Sequence, residues 1–312
     1  MRLIRGLHNL REHHCGSALT IGNFDGLHRG HQAVLRQLRE RADAQGLITT
    51  VMTFEPTAQE YFAPTSAPAR LQRLRDKLAL LATLDVDQVV CLPFNQQLAD
   101  LSAAEFVERI LVQGLEVRYL VVGDDFRFGQ GRQGDFEFLQ AAGQGAGFEV
   151  VNTRTFLHGD DRVSSTRIRE LLADGDLVTA ARLLGRPYRI CGRVSPGQQR
   201  GRTIGFHTAN LRLHRRVSPL RGVYAVQVFG LGEQAVRGVA NVGTRPTVDG
   251  SYFVLEVHLF DFDRDIYGLH LDVEFCKKLR EERKFESFEA LRAQIETDAA
   301  QARRFFEKEK HA

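Results

Sequence analysis

The chain has 312 residues, of which 43% are apolar and 26% are charged, so it is long enough for two globular domains with hydrophobic cores. A formal net charge of only +3 excludes a general electrostatic attraction to nucleic acid or to membrane surfaces. No apolar run approaches the ~18 residues that span a bilayer, and the sequence begins without the apolar block of a signal peptide.

The cysteines indicate the cellular compartment. Cys15, Cys91, Cys191 and Cys276 lie far apart without C-x-x-C spacing, which is unlike a zinc site or a disulfide framework. We therefore expect a cytoplasmic protein with reduced thiols. The low net charge predicts no nucleic-acid or membrane partner, and a monomer or weak homo-oligomer is our expectation for the assembly.

The first half of the chain alternates short apolar strands with helices. Strands are predicted over 18–21, 49–54, 89–92 and 119–122, and helices over 32–47, 71–84, 102–113 and 177–184. These strands lack polar alternation, which is typical of a parallel sheet that helices cover on both faces. Ligands of such sheets bind beyond the carboxyl ends of the strands, so the turns after residues 21 and 122 form the predicted binding region.

The turn after the first strand carries the densest group of candidate residues, Gly22-Asn23-Phe24-Asp25-Gly26-Leu27-His28-Arg29-Gly30-His31. Its glycines let the backbone approach a ligand, and the helix start that follows offers unpaired N–H groups that favour phosphate. His28 and His31 are three residues apart, so we expect them to share one face of the first helical turn. The alternative is a helix start with two solvated histidines.

Two further stretches of the first half combine glycine, hydroxyl and arginine side chains. Residues 123–132 form a glycine-rich loop with Arg127 and Arg132, which suits a polyphosphate, although a plain surface loop is the alternative. Residues 163–169 place three hydroxyls and two arginines at a helix start. Arginines there oppose the helix dipole, so the arrangement favours a bound phosphate.

Beyond residue 185 the pattern changes. Gly185 and Pro187 mark a helix end, and short β-branched strands follow over 188–194, 222–229, 236–242, 253–260 and 269–275. Glycine turns and no helices separate them, which predicts an antiparallel barrel, and one helix follows over 287–306. We place the domain boundary near residue 185, with domains 1–184 and 185–312.

Two stretches of the second half carry candidate chemistry. Thr208 and Asn210 alternate, so both side chains point to one side of an extended chain, and their oxygens are the hard ligands that Mg²⁺ takes. Glu256 and His258 share one face of a predicted strand. The alternatives are a hairpin edge with exposed polar residues and an ordinary half-exposed strand.

The string at 22–31 resembles the G-N-F-D-G-x-H-x-G-H signature of bacterial bifunctional riboflavin kinase/FAD synthetases, whose H-x-G-H core is typical of nucleotidyltransferases. Residues 123–129 and 163–169 are similar to the family strings G-x-D-F-R-F-G and I-S-S-T-x-I-R, with Val163 in place of Ile. Residues 201–211 resemble G-R-x-x-G-F-P-T-A-N-L, and residues 256–262 resemble E-x-H-x-x-D-F. Further similar strings at 222–225, 241–247 and 278–285 extend the resemblance over nearly the full chain.

This resemblance implies a fold and a function. The implied fold is a Rossmann-like nucleotidyltransferase domain with a parallel sheet, followed by an antiparallel β-barrel riboflavin kinase domain with a terminal helix. The implied enzyme phosphorylates riboflavin to FMN with ATP and Mg²⁺, and then adenylylates FMN with ATP to give FAD and pyrophosphate. Its substrates are small molecules.

The resemblance also implies site residues. In the adenylyltransferase half, His28 and His31 act in catalysis, and the ATP-binding residues are Gly22, Asn23, Phe24, Asp25, His28, His31, Asp125, Arg127, Ser164, Ser165, Thr166 and Arg169. In the kinase half, Glu256 is the catalytic base, Thr208 and Asn210 hold the metal, and ATP or flavin contacts Gly201, Arg202, Gly205, Thr208, Asn210 and Arg280.

Two positions depart from the family strings. Thr57 stands where the family commonly has the His of F-E-P-H-P, and His207 replaces the Pro before T-A-N. Two other functions stay open: an adenylyltransferase acting on pantetheine phosphate or nicotinate mononucleotide, and a flavin-binding module without turnover. The kinase strings argue against the first alternative, and turnover itself separates the second from an enzyme.

Overall fold

A computed structural model describes residues 1–11, 14, 16–123, 125–153, 157–158, 161–195, 208–213, 217–247 and 250–309. Within these residues the chain divides into two compact units. The first comprises Met1–Pro68 and Gln72–Ser164, and the second comprises Ala69–Leu71 and Ser165–Ala312. The division lies at Ser164, ahead of the functional boundary near residue 185, which stays a prediction.

The first unit is built on a sheet to which the described residues contribute six strands, all parallel. The strands are β1 (Arg2–Arg5), β2 (Ser17–Ile21), β3 (Ile48–Phe54), β4 (Gln88–Leu92), β5 (Val117–Val122) and β6 (Glu149–Asn152). Their spatial order is β1-β4-β3-β2-β5-β6. From β2 the chain winds outward through β3 and β4 and then returns to β5 on the other side. The carboxyl ends of β2 and β5 therefore form the topological switch point, where ligands of such sheets bind.

Helices cover both faces of this sheet. They are α1 (Arg29–Gln45), α2 (Ala58–Phe62), α3 (Leu74–Leu81), α4 (Gln96–Ala99), α5 (Ala103–Phe106) with a π-helical continuation (Val107–Val112), and α6 (Phe136–Ala146). Single turns of 3₁₀ helix occupy Leu7–Asn9 and Gln130–Arg132, and β7 (Leu157–His158) pairs with β8 (Asp161–Arg162).

The core of the first unit follows from alternation along the strands. Leu19 and Leu120 are buried with Phe106, Ile110 and Leu139 on one side of the sheet. On the other side, Ala18 and Val121 pack with Leu38 of α1, and Val51 packs with Leu35 of α1 and Leu81 of α3. Both faces are apolar because helices cover both, and this explains the uninterrupted apolar strands of the sequence.

The structure adds elements to those predicted in the first half. Strands β1 and β6 and helix α6 were not predicted, and α1 begins at Arg29 rather than at residue 32. The ends of α6 carry ordinary signals, since Asp135 caps its start and Gly147 adopts the left-handed conformation at its end. Its interior contains Gly143 and Gly145, which weaken the helical pattern.

The second unit contains, within the described residues, a closed barrel of six antiparallel strands in the order β10-β13-β12-β11-β14-β9. Helices α7 (Ser165–Asp174) and α8 (Leu177–Leu184) precede it, and α9 (Phe288–Glu309) follows it. The strands are β9 (Arg189–Ser195), β10 (Thr208–Arg212), β11 (Gly222–Phe229), β12 (Val236–Thr247), β13 (Gly250–Leu259) and β14 (His270–Arg280). The parallel sheet, the barrel and the terminal helix confirm the predicted fold class.

The outer face of the barrel is partly covered by α9. Ala302 and Phe306 of the helix pack on Ala225, Val239 and Phe260. An ion pair adds to this packing, since Arg280 of β14 donates from Nε and Nη2 to the buried Asp298 of α9, with an Nη2–Oδ2 distance of 2.7 Å. Every helix among the described residues is too short or too polar to cross a lipid bilayer.

Candidate functional site

The turn between β2 and α1 is held in a conformation that few residues adopt. Phe24 and Leu27 have φ values of 47° and 41°, and Gly26 has a φ of 85°. At Phe24 and Leu27 the conformational cost of the left-handed backbone is offset by apolar burial, because both side chains lie in the core beneath the turn. The strained turn brings the backbone of residues 22–28 to the carboxyl end of β2, at the switch point of the sheet.

The histidines of the turn are in direct contact. His28 is the N-cap residue of α1 and lies just outside the first helical turn, and its Nδ1 accepts a hydrogen bond from the His31 N–H at 3.3 Å. The two rings stack with centroids 3.6 Å apart. Gly30 precedes His31 in the sequence, and a Cβ at this position would stand 3.2 Å from the His28 ring, so a glycine here leaves room for the stacked rings.

His31 is held in its neutral form. Burial lowers its pKa well below the usual value, and the nearby His28 and Lys77 lower it further by charge repulsion. Its Nδ1 is buried and has no hydrogen-bond partner among the described residues. A buried ring nitrogen without a partner is costly, so this atom is suited to a group that a bound ligand brings.

Lys77 was missed at the sequence level. It lies on α3, its side chain is only 3% exposed, and its Nζ donates to the Asn23 carbonyl oxygen at 2.5 Å. The Gln72 N–H donates to the buried Asp25 carboxylate at 3.2 Å. Two contacts from residues 72–77 therefore hold the turn of residues 22–31, which we call the signature turn. The available signal was a lysine at helical spacing from Leu74 and Leu81, since lysine is rarely buried without a partner.

The turn after β5 lies at the neighbouring strand end. Asp125 and Arg127 are exposed there, and the Arg127 guanidinium donates to the Phe126 carbonyl oxygen at 3.0 Å. Phe128 is buried and pairs its backbone with Gly134 in both directions. The loop is thus anchored at Phe128 and presents a carboxylate and a guanidinium to solvent beside the signature turn.

The hydroxyl-rich string at 163–169 is shared between the two units. Ser164 is the last residue of the first unit, and the carbonyl oxygen of Val163 faces Gly30. Ser165 and Thr166 open α7 in the second unit, where the Nε of Arg169 donates to the Ala69 carbonyl oxygen at 2.6 Å.

An aromatic cluster at the same edge of the parallel sheet was also missed. Phe54 ends β3, Phe94 follows β4, and Tyr61 and Phe62 belong to α2. Their ring centroids are 5.1 to 5.8 Å apart, and Phe62 is 67% exposed. The cluster leaves an apolar aromatic surface open at the end of the sheet where ligands bind.

Thr57, the first departure from the family strings, has a local structural role. It is the N-cap of α2 and forms a capping box, in which its Oγ1 accepts from the Glu60 N–H and the Glu60 carboxylate accepts from the Thr57 N–H at 2.9 Å. Its hydroxyl therefore stabilises the helix start.

The barrel places its candidate residues in rows on the outer face. Glu256 of β13 pairs with Asn210 on one side and with Asn241 of β12 on the other, and Thr208 pairs with His258 in the next row. Paired residues of antiparallel strands point to the same face, so these side chains are neighbours. The alternate residues of β13 fill the barrel interior, which gives the predicted split of polar and apolar faces.

The row continues to Arg280. Asn241 pairs with Val223 of β11, and Val223 pairs with Arg280. Arg280 is ion-paired with Asp298, so a part of its guanidinium anchors α9. Gly201, Arg202, Gly205 and His207 lie outside the described residues.

Known protein families match both parts of the chain. Residues 10–167 match the FAD synthetase family, and residues 184–306 match the riboflavin kinase family. The bifunctional riboflavin kinase/FMN adenylyltransferases of Escherichia coli K12 and Haemophilus influenzae are each 53% identical to the chain, over 98% of its length and 98% and 99% of theirs. The protein of that name from Pseudomonas fluorescens is 54% identical over 97% of both chains.

The chain belongs to the bifunctional riboflavin kinase/FMN adenylyltransferase family. A solved structure from Streptococcus pneumoniae, described as a macrolide-efflux protein, shares the fold with a TM-score of 0.77 and 31% identity over 96% of this chain and 97% of that one. The chain contains both the histidine turn of the first unit and the polar rows on the outer face of the barrel.

Proposed function

We infer that this chain makes FAD from riboflavin in two ATP-dependent steps. Riboflavin is phosphorylated to FMN, and FMN is adenylylated to FAD with release of pyrophosphate. The observation that carries this proposal is the presence, in one chain, of a FAD synthetase match at 10–167 and a riboflavin kinase match at 184–306. Each match contains a group of polar residues, the histidine turn at the switch point of the parallel sheet and the row on the outer face of the barrel.

The kinase step needs a base, and Glu256 is the proposed one. The 5′-hydroxyl of riboflavin is a neutral alcohol, and it must lose its proton as its oxygen bonds to the γ-phosphorus of ATP and the bond to ADP breaks. Glu256 would accept that proton. Its place between Asn210 and Asn241 on the outer face of the barrel supports the role, because it leaves the carboxylate partly open beside other polar side chains.

The residues of the neighbouring strand fit Mg²⁺. Thr208 and Asn210 are on the same face of β10, and the Asn210 amide nitrogen donates to the Thr208 carbonyl oxygen at 3.5 Å. A hydroxyl and an amide oxygen are hard ligands that suit Mg²⁺ together with phosphate oxygens. When bound, Mg²⁺ would neutralise charge on the transferred phosphoryl group.

The adenylyl step needs no base. A phosphate oxygen of FMN is already anionic when it attacks the α-phosphorus of ATP, and pyrophosphate leaves with the electrons of the broken bond. The requirement is stabilisation of growing negative charge, which the N–H groups at the start of α1 and the side chains of His28 and His31 would supply. Neutral His31 would act there as a hydrogen-bonding group.

Other proposed roles in this step rest on fewer observations. The phosphate-binding roles of Ser164, Ser165, Thr166 and Arg169, like those of Asp125 and Arg127, rest on the resemblance of their strings to the family. The aromatic cluster of Phe54, Tyr61, Phe62 and Phe94 would offer its exposed rings to the flat ring system of FMN, since aromatic surfaces pair by stacking or edge contacts.

The proposed setting is a cytoplasm, with small-molecule substrates, no nucleic-acid partner and a monomeric or weakly associated chain. The wide spacing of the four cysteines in the sequence supports a reducing compartment.

A single assay tests the proposed function. Purified full-length protein is incubated with riboflavin, ATP and Mg²⁺, and riboflavin, FMN and FAD are separated by chromatography over time. The expected result is FMN followed by FAD. FMN without FAD would contradict the adenylyl step, FAD formed only from supplied FMN would contradict the kinase step, and neither product would overturn the proposed function.

A further inference from the structure

Asn241 has no role in the reactions described above, yet it is a direct neighbour of the proposed catalytic base, Glu256. It pairs directly with Glu256, and its side chain points to the same outer face of the barrel. Its Oδ1 is buried and has no hydrogen-bond partner among the described residues. An unsatisfied buried carbonyl oxygen is unfavourable, so we expect a hydrogen-bond donor from outside the described residues to satisfy it.

The unsatisfied atom is an acceptor, and this restricts its partner. The oxygens of the ATP triphosphate are acceptors as well, so they offer it no hydrogen. The Glu282 carboxylate lies against Gly243, two residues further along the same face, and its charge also disfavours a phosphate beside Asn241. The suitable partners are a hydroxyl group and a metal ion.

The position of Asn241 favours the hydroxyl. Asn210 and Asn241 lie on opposite sides of the strand that carries Glu256, which separates their backbones by about 10 Å. Mg²⁺ binds its ligands at about 2.0–2.1 Å, so one ion shared by Asn210 and Asn241 would need both side chains to lean toward each other across Glu256. Along the row, the proposed metal ligand, the base and Asn241 follow in this order, which puts Asn241 on the side away from the metal and its phosphates.

We propose that Asn241 determines specificity in the kinase site by accepting a hydrogen bond from the 4′-hydroxyl of the riboflavin side chain. The 5′-hydroxyl gives its one proton to Glu256, so the neighbouring hydroxyl is the donor within reach of the next residue in the row. This contact would select acceptor substrates with a vicinal diol at the end of the chain and would turn the 5′-oxygen toward the phosphate. The inference rests on the proposed kinase function of the barrel.

The test combines a protein variant with a substrate variant. The rate constant kcat/KM for phosphorylation is measured with riboflavin and with 4′-deoxyriboflavin, for the full-length parent and for Asn241→Leu, which has nearly the same shape. We expect Asn241→Leu to lower kcat/KM for riboflavin about tenfold, and the parent to lose about as much when the 4′-hydroxyl is removed. With the deoxy substrate, parent and variant should then agree within about twofold.

Three comparisons keep the test decisive. Asn241→Asp retains the acceptor oxygen, so it should keep the preference for riboflavin over the deoxy substrate even if its added charge slows both. Gln227→Leu, on the same barrel face and outside the row, should behave as the parent. An equal loss with both substrates in Asn241→Leu, or a shift in the Mg²⁺ requirement in place of the loss with riboflavin, would overturn the proposal. A parent that fails to phosphorylate riboflavin at all would instead refute the kinase function on which the proposal rests.

Discussion

The two units place different chemical groups at their proposed ligand-binding faces. In the first, a strained turn presents backbone N–H groups and a stacked pair of histidines, of which His31 is neutral. In the second, the outer face of a barrel presents a carboxylate, Glu256, between two asparagines. The difference follows the nucleophile, because an alcohol must be deprotonated whereas a phosphate is already anionic. The proposed phosphoryl transfer and the proposed adenylyl transfer therefore use different catalytic groups, although both start from ATP.

The largest expected effect comes from removing the carboxylate of the barrel. Glu256→Gln should lower the rate of FMN formation by roughly 10²–10⁴-fold, since this is the usual contribution of a general base. FAD formation from supplied FMN should remain, because the proposed adenylyl step has no carboxylate base. The measurement is the rate of each reaction in the same preparation. Phosphorylation within about twofold of the parent would show that Glu256 is not the base.

The reverse experiment removes the capping histidine of the first unit. His28→Ala should lower FAD formation from FMN by roughly 10²–10³-fold, the usual loss when a donor to developing charge is removed. FMN formation should be unchanged, and it serves as the control for the integrity of the protein. A parallel loss of both activities would contradict the separation of roles between the units.

A smaller effect is expected from the buried lysine behind the turn. Lys77→Met removes a positive charge that repels protonated His31, so the pKa of His31 should rise toward its usual value. NMR titration of the imidazole measures this shift, and adenylyl transfer should begin to fall at a higher pH as the solution is acidified. The matched control is Lys278→Met in the barrel, which should leave the His31 titration unchanged. An unaltered His31 pKa in Lys77→Met would refute the electrostatic coupling.

The smallest effect concerns Thr57, where the family commonly has histidine. Thr57→Ala removes the capping box of α2 and should lower the stability of the first unit by about 1 kcal/mol. Both activities should stay within about twofold of the parent, because the hydroxyl is engaged in the cap. Thermal unfolding and the two rate measurements check this. A specific loss of FAD formation would assign Thr57 to the adenylyl site and would weaken the contrast between the units.

Local patterns accounted for most of the elements and for their order. The apolar strands and the helices between them predicted the parallel sheet, and the helix predicted over 102–113 begins in the structure at a capping box of Ser102 and Glu105. Strands β1 and β6 were not predicted because short strands at the sheet edges have little hydrophobic periodicity. Helix α6 was not predicted because two glycines interrupt its helical sequence pattern. In the structure the helix is stabilised by the packing of Leu139 in the core.

Long-range pairing explains what could not be predicted in the candidate sites. The sequence placed Glu256 on the polar face of a strand, but its neighbours depend on the register of β13 against β10 and β12. A shift of one residue would have turned Glu256 into the barrel interior. The burial of Lys77 likewise depends on how α3 packs beneath the signature turn.

The sequence by itself determined the succession of an α/β part and a barrel, the family, and the strings that carry its chemistry. Strand periodicity, turn residues and ligand-binding loops are local properties, so they can be read without the fold. The tertiary fold was needed to show that His28 stacks on His31, that Lys77 is buried against the turn, and that Asn241 stands beside Glu256 with an oxygen that lacks a hydrogen-bond partner among the described residues. These features join residues that are distant in the chain or fixed by strained backbone, and packing alone brings them together.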